Sequence, residues 1–172
     1  MIKKIRFLIL VCCGCFIHGA LAKVEEQLVF KTYPVHLTGQ EASAREVQRA
    51  IYQYSPLSQW FPEAARHYDG KSKGGKVIGV THFVPKISWV SRSRKDGLCQ
   101  LESYIVVHAA AIYLPAVTDN PSLPSTVKAW FMQEYERIKA HELIHHAYNQ
   151  EYLNRLERYL SEMTYEDSCD AL

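Results

Sequence analysis

The chain has 172 residues, 20 of them basic and 18 acidic, so its length suits one ordinary domain and its charge is nearly balanced. Three basic residues and no acidic residue lie within the first 22 positions, which leaves 17 basic against 18 acidic residues beyond them. This balance excludes a charge argument for nucleic-acid binding, and we expect no nucleic-acid partner.

The first 22 residues have the layout of a secretory signal peptide. A basic start is followed by an apolar run over residues 7–17 and by the small-residue cleavage site Ala20-Leu21-Ala22. The apolar run is shorter than the roughly 20 residues that span a bilayer. We therefore expect cleavage near Ala22, export to the periplasm or beyond, and a single domain over residues 23–172 without a stable membrane span. Attachment as a lipoprotein at Cys12, Cys13 or Cys15 is the alternative.

Removal of the signal peptide leaves two cysteines, Cys99 and Cys169. In an oxidising compartment two remaining cysteines favour a disulfide, with two unpaired thiols as the alternative. The bond would close a loop of about 70 residues and fix the C-terminal tail to the middle of the chain.

The first part of this domain predicts one strand and one helix. Residues 28–37 are rich in Val, Phe, Tyr and Leu, which indicates a strand, and Pro34 places that strand at a sheet edge. Residues 42–54 carry apolar side chains at helical spacing and end before Pro56, which indicates a short amphipathic helix. Residues 55–76 contain turn residues and a Gly-Lys cluster, which indicates a long surface connection.

The middle of the chain predicts a hairpin. Residues 77–90 and 98–114 are both rich in β-branched and aromatic side chains, and the Asp96-Gly97 step between them suits a hairpin turn. The aromatic side chains Trp60, Phe83, Trp89 and Trp130 are most simply core residues.

The last part predicts a long helix, because residues 126–163 contain no Gly or Pro and Ser125 is a suitable N-cap. One stripe of this helix collects aliphatic, aromatic and histidine side chains: Trp130, Phe131, Ile138, His141, His145, Tyr148, Tyr152, Leu156, Tyr159 and Met163. Polar side chains, His146 among them, fall on the opposite side. We therefore expect His141 and His145 to point inward. The fold class is α+β, with a small antiparallel sheet packed against a short N-terminal helix and the long C-terminal helix.

Within this helix, residues 141–145 read His-Glu-Leu-Ile-His, an HExxH motif. Two histidines four residues apart lie on one helix face and can hold one Zn²⁺, while Glu142 beside them can take a proton from a metal-activated water. A core histidine bonded to a neighbour would explain either histidine alone. It does not explain two buried histidines beside a carboxylate, because an unpaired buried carboxylate costs several kcal/mol. We expect one Zn²⁺ per chain.

The sequence leaves the third protein ligand open. Glu151 stands where one zinc-peptidase layout has its third ligand, but Tyr148 replaces the glycine that would turn the chain, so Glu151 should point about 120° away from His145. The other candidates are Glu162, Glu166 and Asp167 after the motif, and His82 and His108 on the strands. Tyr148 is either a core aromatic or a donor to a developing oxyanion.

Several further residues stand in an order that resembles a bacterial family known as domain of unknown function 922, described as predicted secreted zinc-dependent proteases. They are the segment from Tyr33 to Gly39, Thr81, Trp89, the segment Cys99-Gln-Leu101, the segment Ile112-Tyr-Leu-Pro115, Trp130 and the HExxH motif itself. The resemblance covers residues 27–160 and implies an exported domain of that fold. Ile144 and Ala116 depart from the family, whose members often have glycine and tryptophan at these two positions.

We expect an exported zinc metallopeptidase that hydrolyses peptide bonds in a peptide or protein substrate, with His141 and His145 as metal ligands and Glu142 as general base. The alternative from another class is a non-catalytic exported binding or envelope-interaction domain with an incomplete or structural metal site. A metal-storage or metal-sensing protein is a weaker alternative, because the histidines are scattered.

Overall fold

The computed structural model describes residues 21–68, 76–117, 123–162 and 169. Its elements in chain order are β1 (Leu21–Val35), α1 (Ala44–Tyr54), α2 (Leu57–Trp60), α3 (Pro62–Tyr68), β2 (Val80–Ser93), β3 (Cys99–Val117) and α4 (Ser125–Glu162). The α+β class, the short helix α1 and the long helix α4 are confirmed. The predicted signal peptide falls almost entirely outside the described residues, and β1 begins at its last two positions.

The sheet has three strands in the order β1-β3-β2. Strands β2 and β3 form the predicted antiparallel hairpin, and its turn closes with a hydrogen bond from Arg94 N to Leu98 O at 2.8 Å. Gly97 occupies the turn with a φ of 86°, a conformation that glycine adopts without a side-chain clash. The hairpin carries one register shift, between Val90 and Ser91.

Strand β1 pairs with β3 in parallel, so the prediction of an antiparallel sheet is wrong for this strand. The helices α1–α3 and strand β2 lie between β1 and β3 in the sequence, and parallel neighbours require a long connection of this kind. The apolar residues of one strand do not indicate whether the neighbouring strand runs parallel or antiparallel to it. The edge position predicted from Pro34 is confirmed, because among the described strands β1 pairs with β3 alone.

Helix α1 begins with a reciprocal cap. Ser43 accepts a hydrogen bond from Glu46 N at 3.3 Å, and the Glu46 carboxylate accepts from Ser43 Oγ at 3.0 Å and from Ala42 N at 2.8 Å. Its buried face consists of Val47, Ala50 and Ile51. The next stretch differs from the prediction of a surface connection over residues 55–76, because it forms α2 and α3 around the buried Leu57. Residues 69–75, which hold most of the Gly-Lys cluster, lie outside the described residues.

Helix α4 packs on one face of the sheet and buries two apolar clusters against it. The larger cluster includes Val35, Ile112, Leu114, Val127 and Phe131, and the smaller consists of Leu101, Tyr104, Val106 and Leu153. Trp130 and Phe83 pack at the margins of these clusters, but Trp60 and Trp89 are each 50% exposed, so their prediction as core residues is wrong. None of the described helices combines the length and the apolar character that a membrane span requires.

The predicted disulfide is confirmed. Cys99 at the start of β3 and Cys169 near the C-terminus have their sulfur atoms 1.99 Å apart, across a sequence separation of 70 residues. Cys99 is 1% exposed, so the bond attaches the segment after α4 to the buried start of the central strand.

Candidate metal centre

The two motif histidines lie one helical turn apart in the middle of α4. Residues Ser125–Glu162 contain no Gly or Pro, so the motif stands in regular helix on both sides. His141 Nε2 and His145 Nε2 are 3.1 Å apart, and the two rings are perpendicular with centroids at 4.7 Å. Both nitrogen atoms therefore face the same small volume beside the helix.

This spacing fits a bound Zn²⁺. Two nitrogen atoms that each coordinate zinc at about 2.0–2.1 Å in tetrahedral geometry lie roughly 3.3 Å from each other. The distance of 3.1 Å between the two Nε2 atoms agrees with that value to about 0.2 Å. A hydrogen bond between two neutral imidazoles has a similar length. The two rings can thus supply two ligands without rearrangement.

The inward orientation predicted for the histidines is wrong. His141 and His145 are exposed, whereas the next residues along the chain, Glu142 and His146, are 4% and 6% exposed. Each residue of an α-helix is rotated by about 100° from the one before it, so the buried stripe runs through Val127, Ile138, Glu142, His146 and Leu153. The histidine pair lies at the margin of the helix–sheet interface, where it is exposed to solvent.

Glu142 points into the space between α4 and the start of β2. Its Oε2 lies 2.9 Å from Thr81 Oγ1, and the same hydroxyl lies 2.8 Å from the main-chain oxygen of Glu142. Gly79 faces the other carboxylate oxygen so closely that a Cβ atom there would lie 2.6 Å from Glu142 Oε1. The carboxylate is therefore held on one side by a hydroxyl and on the other by bare backbone.

An open cleft of about 510 Å³ is lined by both His145 and this carboxylate. Its lining includes Glu142, His145, Tyr148 and Asn149 from α4, residues 77 and 79–81 before and within β2, and Glu63 from α3. Tyr148 is 65% exposed, so its interpretation as a core aromatic is wrong. Its position beside His145 in the cleft keeps the phenol available to a bound ligand.

The described residues do not complete a three-ligand site: no group of three or more His, Cys, Asp or Glu side chains within them is arranged to hold a metal. Glu151 is exposed and forms an ion pair with Arg155, and because α4 continues through this residue, it lies about 120° around the helix axis from His145. His82 lies on the opposite sheet face from Thr81 and packs on Phe61 with ring centroids 5.2 Å apart. Glu166, Asp167 and the side chain of Glu162 lie outside the described residues.

His108, the remaining candidate, belongs to a second polar cluster under α4. It is fully buried on β3 and stacks on His146 with ring centroids 5.4 Å apart. His146 Nε2 lies 2.6 Å from Glu26 Oε1, and Gln150 Nε2 donates to the same carboxylate at 2.8 and 2.9 Å. Burial, followed by the neighbouring charge of His146, lowers the pKa of His108. This cluster ties β1 to α4, and we missed it because the sequence pattern had assigned His146 to the outer side.

Sequence reasoning also missed the role of two small residues beside Glu142. Thr81 was one of the residues of the family resemblance, but nothing in its neighbourhood in the sequence indicated a contact with α4. The only sequence feature of Gly79 was its position directly before a β-rich segment, which does not indicate a contact with α4.

Together these features define a class of protein, an α+β domain whose unbroken C-terminal helix carries HExxH against a mixed sheet. The chain belongs to the family described as "Bacterial protein of unknown function (DUF922)", which matches residues 31–172 and confirms the resemblance noted from the sequence. No curated protein and no solved structure gave a match. The family description states no activity, so an activity has to be argued from the residues of the cleft.

Proposed function

We propose that this protein is an exported zinc-dependent metallopeptidase in which His141 and His145 hold the metal and Glu142 is the general base. The observation that supports the proposal most strongly is the facing pair of Nε2 atoms at 3.1 Å, one of which, from His145, belongs to a residue that lines the same open cleft as the buried carboxylate of Glu142. Zinc bound there would lower the pKa of a coordinated water to about 7 and polarise a peptide carbonyl group.

The chain's own residues account for the proton transfers of peptide hydrolysis. Glu142 accepts a proton from the attacking water as the new C–O bond forms, and then gives that proton to the leaving amine as the C–N bond breaks. Tyr148, exposed in the same cleft, is the donor that would stabilise the developing oxyanion. The reaction consumes one water per bond and needs no other reactant.

Export remains part of this proposal. The disulfide between Cys99 and Cys169 supports it, because such bonds persist in oxidising compartments and are rare in the cytosol. The pattern of the first 22 residues supports removal of a signal peptide near Ala22. The substrate of the proposed enzyme is then a peptide or protein of the periplasm or of the cell's surroundings.

A second function is favoured by a different observation. The described residues supply two metal ligands and not three, whereas a catalytic zinc site normally has three protein ligands and an open position. The protein could accordingly be an exported binding domain that has kept the helix with an incomplete or structural metal site. In that case Glu142 would only stabilise the contact between α4 and β2.

The experiment that separates the two compares mature wild type with Glu142→Gln, after zinc reconstitution and with measured zinc content, on a broad peptide library. We expect cleavage by the wild type and a loss of about 10²–10⁴-fold in kcat for the variant, which is the usual contribution of a general base. Glu136→Gln is the matched control, because Glu136 is exposed on the same helix and only pairs with Lys139 at 3.7 Å. Equal activity of wild type and Glu142→Gln, or no cleavage by either with zinc present, overturns the proposal.

A further inference from the structure

We infer that Thr81 is the positioning residue for Glu142, fixing the carboxylate of the proposed general base against the backbone at Gly79. This assignment rests on the proposed function. It starts from the single hydroxyl that contacts two oxygen atoms of the same residue, the main-chain oxygen of Glu142 at 2.8 Å and its Oε2 at 2.9 Å.

The Thr81 hydroxyl has one proton to donate and two lone pairs to accept with. While Glu142 is ionised, both of its contacting oxygens are acceptors, so the hydroxyl proton serves one of them at a time. A rotation about the Thr81 C–O bond passes the donated proton from one oxygen to the other without moving either side chain.

In the described part of the chain no ion pair involves Glu142, although the side chain is 4% exposed. A buried carboxylate without a cationic partner depends on its hydrogen bonds for a fixed position. Among the described residues Thr81 Oγ1 supplies the hydrogen bond to the Glu142 carboxylate. The hydroxyl of Thr81 therefore fixes the position of this carboxylate.

The opposite side of the carboxylate is fixed by backbone. An added Cβ at Gly79 would lie 2.6 Å from Glu142 Oε1 and 2.9 Å from its Cγ, so no side chain fits there beside the present rotamer. Three hydrogen bonds hold the segment before Gly79: Tyr33 Oη to Ile78 O at 2.7 Å, Ser55 Oγ to Val77 O at 2.5 Å, and Val77 N to Ser58 Oγ at 3.2 Å. Thr81 and the backbone at Gly79 therefore contact the Glu142 carboxylate from opposite sides and restrict it to its present rotamer.

The test uses Thr81→Val, which keeps the shape of the side chain and removes the hydroxyl, and Thr81→Ser, which keeps the hydroxyl. On a peptide that the wild type cleaves, we expect Thr81→Val to lower kcat by about 10- to 100-fold with KM unchanged within about twofold. We expect Thr81→Ser to recover kcat to within about threefold of wild type. Thr32→Val, an exposed threonine of the edge strand β1, is the control for the substitution itself.

A second measurement needs neither metal nor activity. In the metal-free protein, Thr81→Val and Glu142→Ala should be non-additive in the unfolding equilibrium constant by about fivefold, because each removes the hydrogen bond between Thr81 Oγ1 and Glu142 Oε2. Additive effects, together with a Thr81→Val enzyme as fast as wild type while Glu142→Gln is inactive, overturn the inference and leave the proposed function standing. A Glu142→Gln variant as active as wild type overturns the proposed function instead. A loss of kcat that Thr81→Ser does not recover assigns Thr81 a packing role and also overturns the inference.

Discussion

The close approach of Gly79 to α4 predicts a specific cost for adding one methyl group. In Gly79→Ala the new Cβ would lie 2.6 Å from Glu142 Oε1, 2.7 Å from Ile138 Cγ2 and 2.9 Å from Glu142 Cγ. Ordinary contacts between carbon atoms are about 3.5–4.0 Å, so each neighbour would have to retreat by roughly 0.6–1 Å. Ile138 and Glu142 are 3% and 4% exposed, which leaves them little room to move.

The expected magnitude follows from two opposing terms. Overpacking by one methyl group in a filled interior costs about 1–3 kcal/mol. Replacement of Gly by Ala reduces the conformational entropy of the unfolded chain and thereby stabilises the folded protein by about 0.4–1 kcal/mol. Gly79→Ala should therefore lower the free energy of unfolding by about 1–2 kcal/mol, or shift Tm downward by about 2–8 °C for a chain of this size.

Urea denaturation of four proteins measures this effect and locates its cause: wild type, Gly79→Ala, Glu142→Ala and the double variant. Truncation of Glu142 at Cβ removes two of the three close contacts, so the cost of Gly79→Ala should fall by about 1 kcal/mol in that background. An equal cost in both backgrounds, or a Gly79→Ala protein at least as stable as wild type, would refute the close packing between the start of β2 and α4.

Two further predictions concern stability away from the cleft. Reduction of the Cys99–Cys169 bond should lower the free energy of unfolding by about 4 kcal/mol, because it releases a loop of 70 residues in the unfolded chain. Urea midpoints with and without reductant measure this effect. A Cys99→Ala/Cys169→Ala variant is the control and should not respond to reductant. The pKa of His108 is lowered in the folded state by burial, so the unfolded chain binds the proton more readily and stability should fall as the pH drops below about 6.5. Urea midpoints at pH 7.5 and 5.5 should differ less for His108→Leu than for wild type, and an identical pH response would contradict this account of His108.

The prediction for helix α4 was right about its extent and wrong about the face that packs on the sheet. The lack of Gly and Pro correctly predicts an unbroken helix through the motif, and with it the distant position of Glu151. The side that faces the sheet is misplaced because tyrosines at residues 148, 152 and 159 were counted as apolar, although they are 56–65% exposed. Tyrosine has an apolar ring and a polar tip, so it serves on either surface. The buried polar pair of Glu142 and His146 completes the sheet-facing stripe, and a hydrophobic pattern cannot show that.

Contacts between segments that lie far apart in the sequence could not be predicted. The hairpin of β2 and β3 could be predicted because its turn and both strands are contiguous, and the disulfide because two cysteines leave one pairing. The parallel partner of β1 and the contact of Thr81 with Glu142 join residues more than 60 positions apart. Neither leaves a local signal, because they arise from how the elements pack and not from the preference of any one segment.

The central claim is that the HExxH motif of this chain is a working hydrolytic site, and the most direct measurement of it is the rate of peptide cleavage per bound zinc. The account predicts cleavage by the zinc-loaded wild type that disappears when His141 and His145 are both replaced by Ala, and that falls by about 10²–10⁴-fold in Glu142→Gln at full zinc content. Cleavage that continues unchanged in either variant, or a zinc-loaded wild type that cleaves no peptide, would contradict it.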